Sequence, residues 1–553
     1  MNEFWWQEAI IYQIYPKSYK DSNQDGIGDI QGIISSLDYI QNLGINTIWL
    51  NPIFISPQID NGYDISNYYA IDDIFGTLEE VEKLIDEAHK RDIKIIFDLV
   101  LNHTSSQHPW FQEALKGKNN MYRDYYLWSE PSDDGSVPNN WASFFGGSVW
   151  EKDESSNQYY FHLFDKEMPD LNWENLEVQK AMLDIAKYWL DKGIDGFRLD
   201  AFIHIAKDDF GKQMVTKEKQ PVIAEEYYAN LPDVKPLLSQ FVKELKQIKP
   251  DIFILGEAAS ASPSKALDYM SEDLCGAIIS FDHFRELPLN EEVIKSTHKT
   301  HQLDHKAFKK SLIDWQQTLT GEKYPTLYWN NHDMPRVVSR FGEVNHYRNE
   351  SAKSLATAMY LLKGIPIIYY GEEIGIKNLD VTSIDFFEDK DVVSNYEKLI
   401  QQGENPESAL FIVSNQHKEV SRGGMQWNAT DFSNFSTVAP WNAVNKEKIF
   451  NVYEQERDQE SILAHYRKLI QLKKQPVFQT GEVIWLDSPP EVIAYKRVTE
   501  SEEMVVIANI SDKRFDNMAG LFTANTCSSV LLGNRTCVDK GTIEPYDFVV
   551  FKK

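Results

Sequence analysis

Three carboxylates close apolar runs far apart in this chain: Asp200 in Gly196-Phe-Arg-Leu-Asp200, Glu257 in Ile252-Phe-Ile-Leu-Gly-Glu257, and Asp333 in Thr326-Leu-Tyr-Trp-Asn-Asn-His-Asp333. Arg198 stands two residues before Asp200, so on a strand both side chains point to the same side. Charges at the end of an apolar strand are costly unless they pair or do chemistry. One reading is a structural ion pair; the other is an active-site carboxylate held ionised by its arginine. Acids brought to one mouth suit glycosidic bond cleavage. One attacks or stabilises an oxocarbenium-like centre and another donates a proton, about 5 Å apart when configuration is retained. Glu257 follows an apolar strand, and desolvation there would raise its pKa, as a proton donor requires. His103 and His332 would bind sugar hydroxyls. A zinc or manganese cluster is the competing reading of these histidines and acids, but no paired-histidine spacing accompanies them.

The elements that must position these groups alternate along the chain. Strand patterns fall at 10–15, 47–51, 94–100, 196–200, 252–257, 277–281, 326–333 and 365–371. The run Lys94-Ile-Ile-Phe-Asp-Leu-Val100 is continuously apolar apart from Asp98, as parallel buried strands are. Between the strands lie helical patterns: Leu37 to Leu43; Leu78, Val81, Leu84, Ile85 and Ala88 behind a Thr77/Glu80 capping box; Val178, Met182, Ile185 and Trp189, stopped at Gly193; and Leu238, Phe241, Leu245 and Ile248. Eight strands alternating with helices predict an α/β fold, a (β/α)8 TIM barrel. Acids, histidines and asparagines at the strand ends, Glu372-Glu373 after the eighth included, mark its active face. The barrel, domain A, is expected over 1–103 and 173–475. Domain B, of irregular and short β structure, is inserted at 104–172 after strand 3. A further insertion runs over about 376–457 after strand 8. A C-terminal β-sandwich, domain C, occupies 476–553.

Composition sets the limits. The 553 residues are 42% hydrophobic and 13% aromatic, enough for a large core, and carry a formal net charge of −28. That charge disfavours nucleic acid and anionic membrane as partners. It suits an enzyme with a neutral substrate. Three cysteines, Cys275, Cys527 and Cys537, give neither a disulfide framework nor zinc spacing, and point to a reducing compartment. The N-terminus lacks the pattern of a signal peptide, and no run is long enough to span a membrane. A cytoplasmic protein follows, monomeric or weakly homo-oligomeric.

Asp21-Ser-Asn-Gln-Asp-Gly-Ile-Gly-Asp29 has the spacing of a calcium loop. Side-chain oxygens fall at Asp21, Asn23, Asp25 and Asp29, Ile27 offers its carbonyl, and Gly26 makes the sharp turn. The twelfth position is Gly32 and not a bidentate glutamate, so an EF-hand is disfavoured. The expectation is a compact structural Ca²⁺ site without an organic cofactor; the alternative is an Asp/Gly-rich turn.

Taken together, these segments resemble glycoside hydrolase family 13, the α-amylase family, and its oligosaccharide α-glucosidase branch. Asp98-Leu-Val-Leu-Asn-His103 resembles the first family motif, Gly196–Asp200 the second, Leu255–Glu257 the third and Asn331–Asp333 the fourth. Pro169-Asp-Leu-Asn-Trp173 is typical of the branch. The resemblance implies that Asp200 is the nucleophile, Glu257 the acid and then the base, and Asp333 the residue that clamps the distorted sugar. Arg198 would keep Asp200 ionised. Asp60 and Tyr63 would hold the non-reducing glucose, and His103 and His332 would bind hydroxyls. Arg422 would reach the first subsite, although Gly423-Gly424 stands where the family has Thr-Pro. Phe145 and Phe164 look like walls of the pocket, with ordinary core packing as the alternative.

In this branch a Val after the nucleophile accompanies α-1,6 activity and a smaller residue α-1,4. Ala201 therefore leans the expectation to a retaining exo-α-glucosidase on maltose and malto-oligosaccharides. The alternatives are oligo-1,6-glucosidase, trehalose-6-phosphate hydrolase and a sucrose-acting transglucosylase. A phosphate substrate wants a basic pocket; Lys212, Lys217 and Lys219 are near the right loop but read more naturally as a solvated face. A non-catalytic, transporter-associated scaffold would show a membrane span and eroded carboxylates, and neither is seen.

Overall fold

Runs of β-branched and aromatic residues form the parallel strands: β1 (Ile11–Ile14), β2 (Thr47–Leu50), β3 (Lys94–Val100), β4 (Gly196–Asp200), β5 (Phe253–Glu257), β6 (Ala277–Ile279), β7 (Thr326–Leu327) and β8 (Ile365–Tyr369). Helices α1 (Leu37–Leu43), α2 (Leu78–His89), α3 (Leu176–Asp191), α4 (Val234–Ile248), α5 (Pro263–Asp268), α6 (His305–Thr318), α7 (Arg348–Tyr360) and α8 (Ile462–Lys473) alternate with them. The strands form one sheet in the order β6-β5-β4-β3-β2-β1-β8-β7. This is the (β/α)8 barrel the sequence predicts. The structure is a computed structural model describing residues 4–217, 220–271, 273–288, 301–387, 389–521, 530–534 and 541–553. Lys219, Cys527 and Cys537 lie outside the described residues; Cys275 is a free, buried thiol.

Local chemistry sets the helix ends. Thr77 and Glu80 make the reciprocal capping box before α2, at 3.0 and 3.3 Å. Gly193 follows α3 in the left-handed region, φ 104°. Two strands are shorter than their apolar patterns. β6 ends at Ile279, and β7 pairs with β8 only at Thr326 and Leu327. Beyond Leu327 asparagine side chains capture the backbone: the Val337 amide donates to Asn330 Oδ1 at 2.7 Å and the Asp333 amide to Asn331 Oδ1 at 2.8 Å.

The chain divides into two compact units. The first comprises Met1–Ile48, Glu87–Ile93 and Phe281–Lys553. In it β1 pairs parallel with β8, and β8 with β7. Its C-terminal part is a five-stranded antiparallel sheet over 482–552, with a core of Val492, Ala494, Val505, Ile507, Val549 and Phe551. Among the described residues the expected sandwich is this sheet and an isolated bridge between Phe515 and Ile543. The segment after β8 carries helices Lys390–Gln401 and Pro406–Gln416 and a small core around Leu379, Phe387, Val413 and Val420. The second unit comprises Trp49–Asp86 and Lys94–Ser280. In it β3, β4, β5 and β6 pair in parallel succession, and 104–172 holds a three-stranded sheet of Trp128–Ser129, Gln158–Phe161 and Trp150–Asp153.

One acidic strand end turns inward. Glu372 and Glu373 are buried, not presented at a mouth. Glu372 accepts from Tyr466 Oη at 2.8 Å and from Tyr360, and burial pushes it up to about 7. Glu373 accepts from Tyr12 and Tyr39, both at 2.7 Å. This acid pair is core chemistry in the first unit.

Candidate active site

In the second unit the site is built on Arg198. β3, β4 and β5 are in register so that Asp98 lies opposite Arg198 and Leu255 on its other side. Gly196 is what lets β5 come close: a Cβ there would meet the Phe253 carbonyl oxygen at 2.1 Å. Arg198 Nη1 donates to Asp98 Oδ1 at 2.7 Å and to Asp200 Oδ1, and Nη2 pairs with Glu257 Oε2 at 2.8 Å. One guanidinium, 1% exposed, thus holds three carboxylates. Burial alone would depress its pKa, but Glu257, Asp98 and Asp200 outweigh that and hold Arg198 well above its usual value. Asp98 is pushed up to about 6 by burial, against the pull of Arg198. Its Oδ2 accepts from Trp49 Nε1 at 2.8 Å, Asn51 Nδ2 at 3.1 Å and Tyr63 Oη at 3.3 Å. Glu257 is not in the wholly apolar surroundings that the strand pattern implied, because it shares Arg198.

Ala201 occupies the left-handed region, φ 47° and ψ 24°, and its amide donates to Glu257 Oε2 at 3.4 Å. His103 is buried, and burial lowers its pKa, with Asp170 and Asp60 opposing. Its Nε2 has no hydrogen-bond partner among the described residues. Phe164 stands edge-on to His103 at 5.2 Å and Phe145 edge-on to Phe164 at 5.7 Å. Phe145 is 39% exposed, unlike a core phenylalanine. Asp60 and Tyr63 share a turn in which the Tyr63 amide donates to the Asp60 carbonyl at 3.1 Å.

The first unit carries a second cluster. His332 Nε2 lies 3.2 Å from Asp333 Oδ2, and its Nδ1 is 2.8 Å from Gln13 Nε2 on β1. Arg422 donates through Nε to the His332 carbonyl at 2.8 Å and through Nη2 to Asp333 Oδ1 at 3.3 Å. Ser18 fixes its backbone, donating through Oγ to the Arg422 carbonyl at 2.6 Å. The Gly423-Gly424 departure therefore leaves Arg422 on Asp333. Lys418 stands 3.9 Å from the same oxygen.

The Asp21–Asp29 loop folds on itself in this unit. Asp21 accepts from the amides of Asn23, Gln24 and Gly26, and Asp25 from that of Ile27. Asp29 caps the helix at Ile30–Ile34 through the Gly32 amide at 2.6 Å and accepts from Ser22 Oγ at 2.8 Å. Gly26 is required at φ 89°, where a Cβ would meet the Ala439 carbonyl oxygen at 2.3 Å. The oxygen donors suit a hard cation. Among the described residues, no group of three or more His, Cys, Asp or Glu side chains is placed to hold a metal ion.

Sequence reasoning missed Asp98, Asn51 and Gln13 as members of these clusters. A signal existed for two of them, since Asp98 and Gln13 interrupt otherwise apolar strands, where an unpaired polar group is costly. Asn51 carried a different one, as an asparagine closing the strand pattern at 47–51.

A (β/α)8 barrel with an arginine–carboxylate cluster and a His–Asp–Arg cluster defines a class, an enzyme of carbohydrate chemistry. Residues 13–481 match the family described as "Alpha amylase, catalytic domain". The chain is 40% identical to the "Oligo-1,6-glucosidase" of Bacillus cereus over 100% of both chains. It is 39% identical to the "Trehalose-6-phosphate hydrolase" of Bacillus subtilis (strain 168), over 99% of this chain and 98% of the other. A solved structure described as a "Family GH13_31 enzyme" superposes with a TM-score of 0.91 at 45% identity, covering 100% of both chains. The chain belongs to the α-amylase family, glycoside hydrolase family 13, and is a glycoside hydrolase. Among the described residues no helix is long and apolar enough to cross a membrane.

Proposed function

We propose that the protein is a retaining, exo-acting α-glucosidase that releases glucose from the non-reducing end of short α-glucosides. The observation that carries this reading is Arg198 holding both Asp200 and Glu257 in a chain of this family. Asp200 attacks the anomeric carbon while Glu257 gives its proton to the departing oxygen; Glu257 then takes a proton from water, which displaces Asp200. Arg198 and the Ala201 amide both address Glu257 Oε2. Asp333, steadied by His332 and Arg422, clamps sugar hydroxyls. His103, Asp60 and Tyr63 hold the terminal glucose, and Phe145 and Phe164 wall it.

For the linkage, the relatives favour α-1,6 (isomaltose, panose) over the α-1,4 preference drawn from Ala201: the Bacillus cereus relative is an oligo-1,6-glucosidase. Ala201 was a weak guide because a methyl-scale difference is worth only about 1–3 kcal/mol. A trehalose-6-phosphate reading has a relative of nearly equal identity. Against it, Lys212 is paired with Asp208 at 2.6 Å on an exposed face. A product time course on isomaltose, maltose, sucrose, trehalose and trehalose 6-phosphate tests this. The expected result, drawn from the relatives, is isomaltose cleaved about tenfold faster than maltose, a discrimination of about 1.4 kcal/mol, and inert trehalose 6-phosphate. Rapid turnover of maltose with inert isomaltose would restore the α-1,4 reading.

We also propose that the Asp21–Asp29 loop binds Ca²⁺ structurally. Its support is the oxygen-only donor set, which is what calcium selects. Calcium at a hundredfold excess over its Kd would stabilise the fold by about 2.7 kcal/mol. Thermal unfolding with calcium and with chelator should differ in Tm, and Asp21→Ala should erase the difference. Equal Tm values in the native chain would leave the loop an Asp/Gly turn.

A further inference from the structure

Outside the residues assigned above, the second unit holds a buried lysine with an unusual set of acceptors. Lys207 follows the 3-10 turn at Phe202–His204, just after the nucleophile strand, and its side chain is 4% exposed. Its Nζ pairs with Asp170 Oδ2 at 2.8 Å and donates to Asn102 Oδ1 at 3.0 Å and to the His204 carbonyl. These three acceptors belong to three different segments. Asn102 precedes His103 at the end of β3, and its Nδ2 lies 3.4 Å from His103 Nδ1. Asp170 lies in the inserted segment, bridges His103 through the backbone, and accepts from the Leu163 amide at 3.0 Å, one residue before Phe164. We propose that Lys207 is a positioning residue that ties these segments together and so holds the His103 ring and the Phe164 wall in place for the substrate's glucose. The inference rests on the glycosidase reading above and deepens it.

Geometry and charge agree. A buried ammonium needs partners for its donors, and a buried Asp170 needs a cation. Neither can leave without stranding the other. The groups facing His103 are Asp170, Asp60, Lys207 and His204. The two acids favour a charged imidazole, and Lys207 opposes them. Burial and then Lys207 also bring His204 down to about 4. Burial is the largest of these influences and lowers the His103 pKa, and Lys207 acts in the same direction.

The test compares the full-length native chain with Lys207→Met and Lys207→Arg in three readouts: KM and kcat on 4-nitrophenyl α-glucoside, the Kd for glucose, and the ¹⁵N titration of the His103 ring. Lys207→Met should raise KM and the glucose Kd about tenfold, a loss of binding of about 1.4 kcal/mol, with kcat nearly unchanged. It should also move the His103 titration to higher pH, because the positive charge that opposes Asp60 and Asp170 alongside burial is then gone. Lys207→Arg should restore most of both. A folded Lys207→Met with native KM, glucose Kd and His103 titration overturns the proposal. If Lys207→Met does not fold, the double variant Lys207→Met/Asp170→Asn removes both charges, and native KM and glucose Kd there overturn it equally. Should the native chain hydrolyse no α-glucoside, the glycosidase reading fails by itself, and the His103 titration still decides the role of Lys207.

Discussion

Asp200→Asn should leave a folded protein whose hydrolysis of any α-glucoside falls by about 10⁴-fold or more, the scale seen when a covalent nucleophile is removed. The substitution keeps the shape of the side chain and an oxygen that Arg198 can address, but removes the charge that attacks the anomeric carbon. Arg198 keeps Asp98 and Glu257, so its own burial stays compensated. Initial rates measured together with Tm separate the two effects. A variant that unfolds near the native Tm and still turns over substrate would sink the double-displacement mechanism.

Arg198→Met should be the most damaging change to both stability and activity. It leaves Asp98, Asp200 and Glu257 buried or nearly so without their shared cation. Removing one partner of a buried ion pair costs about 3–5 kcal/mol, and mutual repulsion of the stranded acids adds to it. Lysine is no substitute, because a point charge cannot address three carboxylates as a planar fork does. The loss depends on pH in a fixed direction. Asp98 is already pushed up to about 6 in the native protein, so the folded state binds this proton more tightly than the unfolded chain. The associated stability is present at low pH and is lost as pH rises through about 6. Without Arg198 the acids have more need of protons, so the variant's Tm should recover as pH falls from about 7 to about 5. A Tm deficit that stays constant over that range would show that the acids do not depend on Arg198 for compensation.

The two variants probe different layers of one cluster, and those layers were not equally legible in the sequence. Arg198 and Asp200 could be paired from a spacing of two on a strand, because side-chain alternation is a local rule. That Asp98 joins them could not be derived from spacing, because 100 residues separate it from Arg198. Only the register of β3 on β4 makes them neighbours. Strand ends misled in the other direction at Glu372 and Glu373, which the apolar run of β8 offers as mouth residues. Tyr12, Tyr39, Tyr360 and Tyr466 come from other elements to hold them inside. Strand lengths failed for a similar reason at Thr326–Asp333, where the Asp333 amide turns back to the Asn331 side chain and does not continue the strand.

By itself the sequence determined the alternation of eight strands with helices, the barrel it implies, the motifs of its family and the carboxylates that carry the chemistry. These depend on apolar periodicity and residue type, which are local. The tertiary structure decided that one guanidinium serves three acids, that Arg422 stays on Asp333 despite Gly423-Gly424, and that Lys207 joins Asn102, Asp170 and His204. Each of these rests on strand register or loop packing between distant segments. Buried charges select such arrangements because an unpaired one is too costly to keep, yet the cost names no partner until the chain has folded.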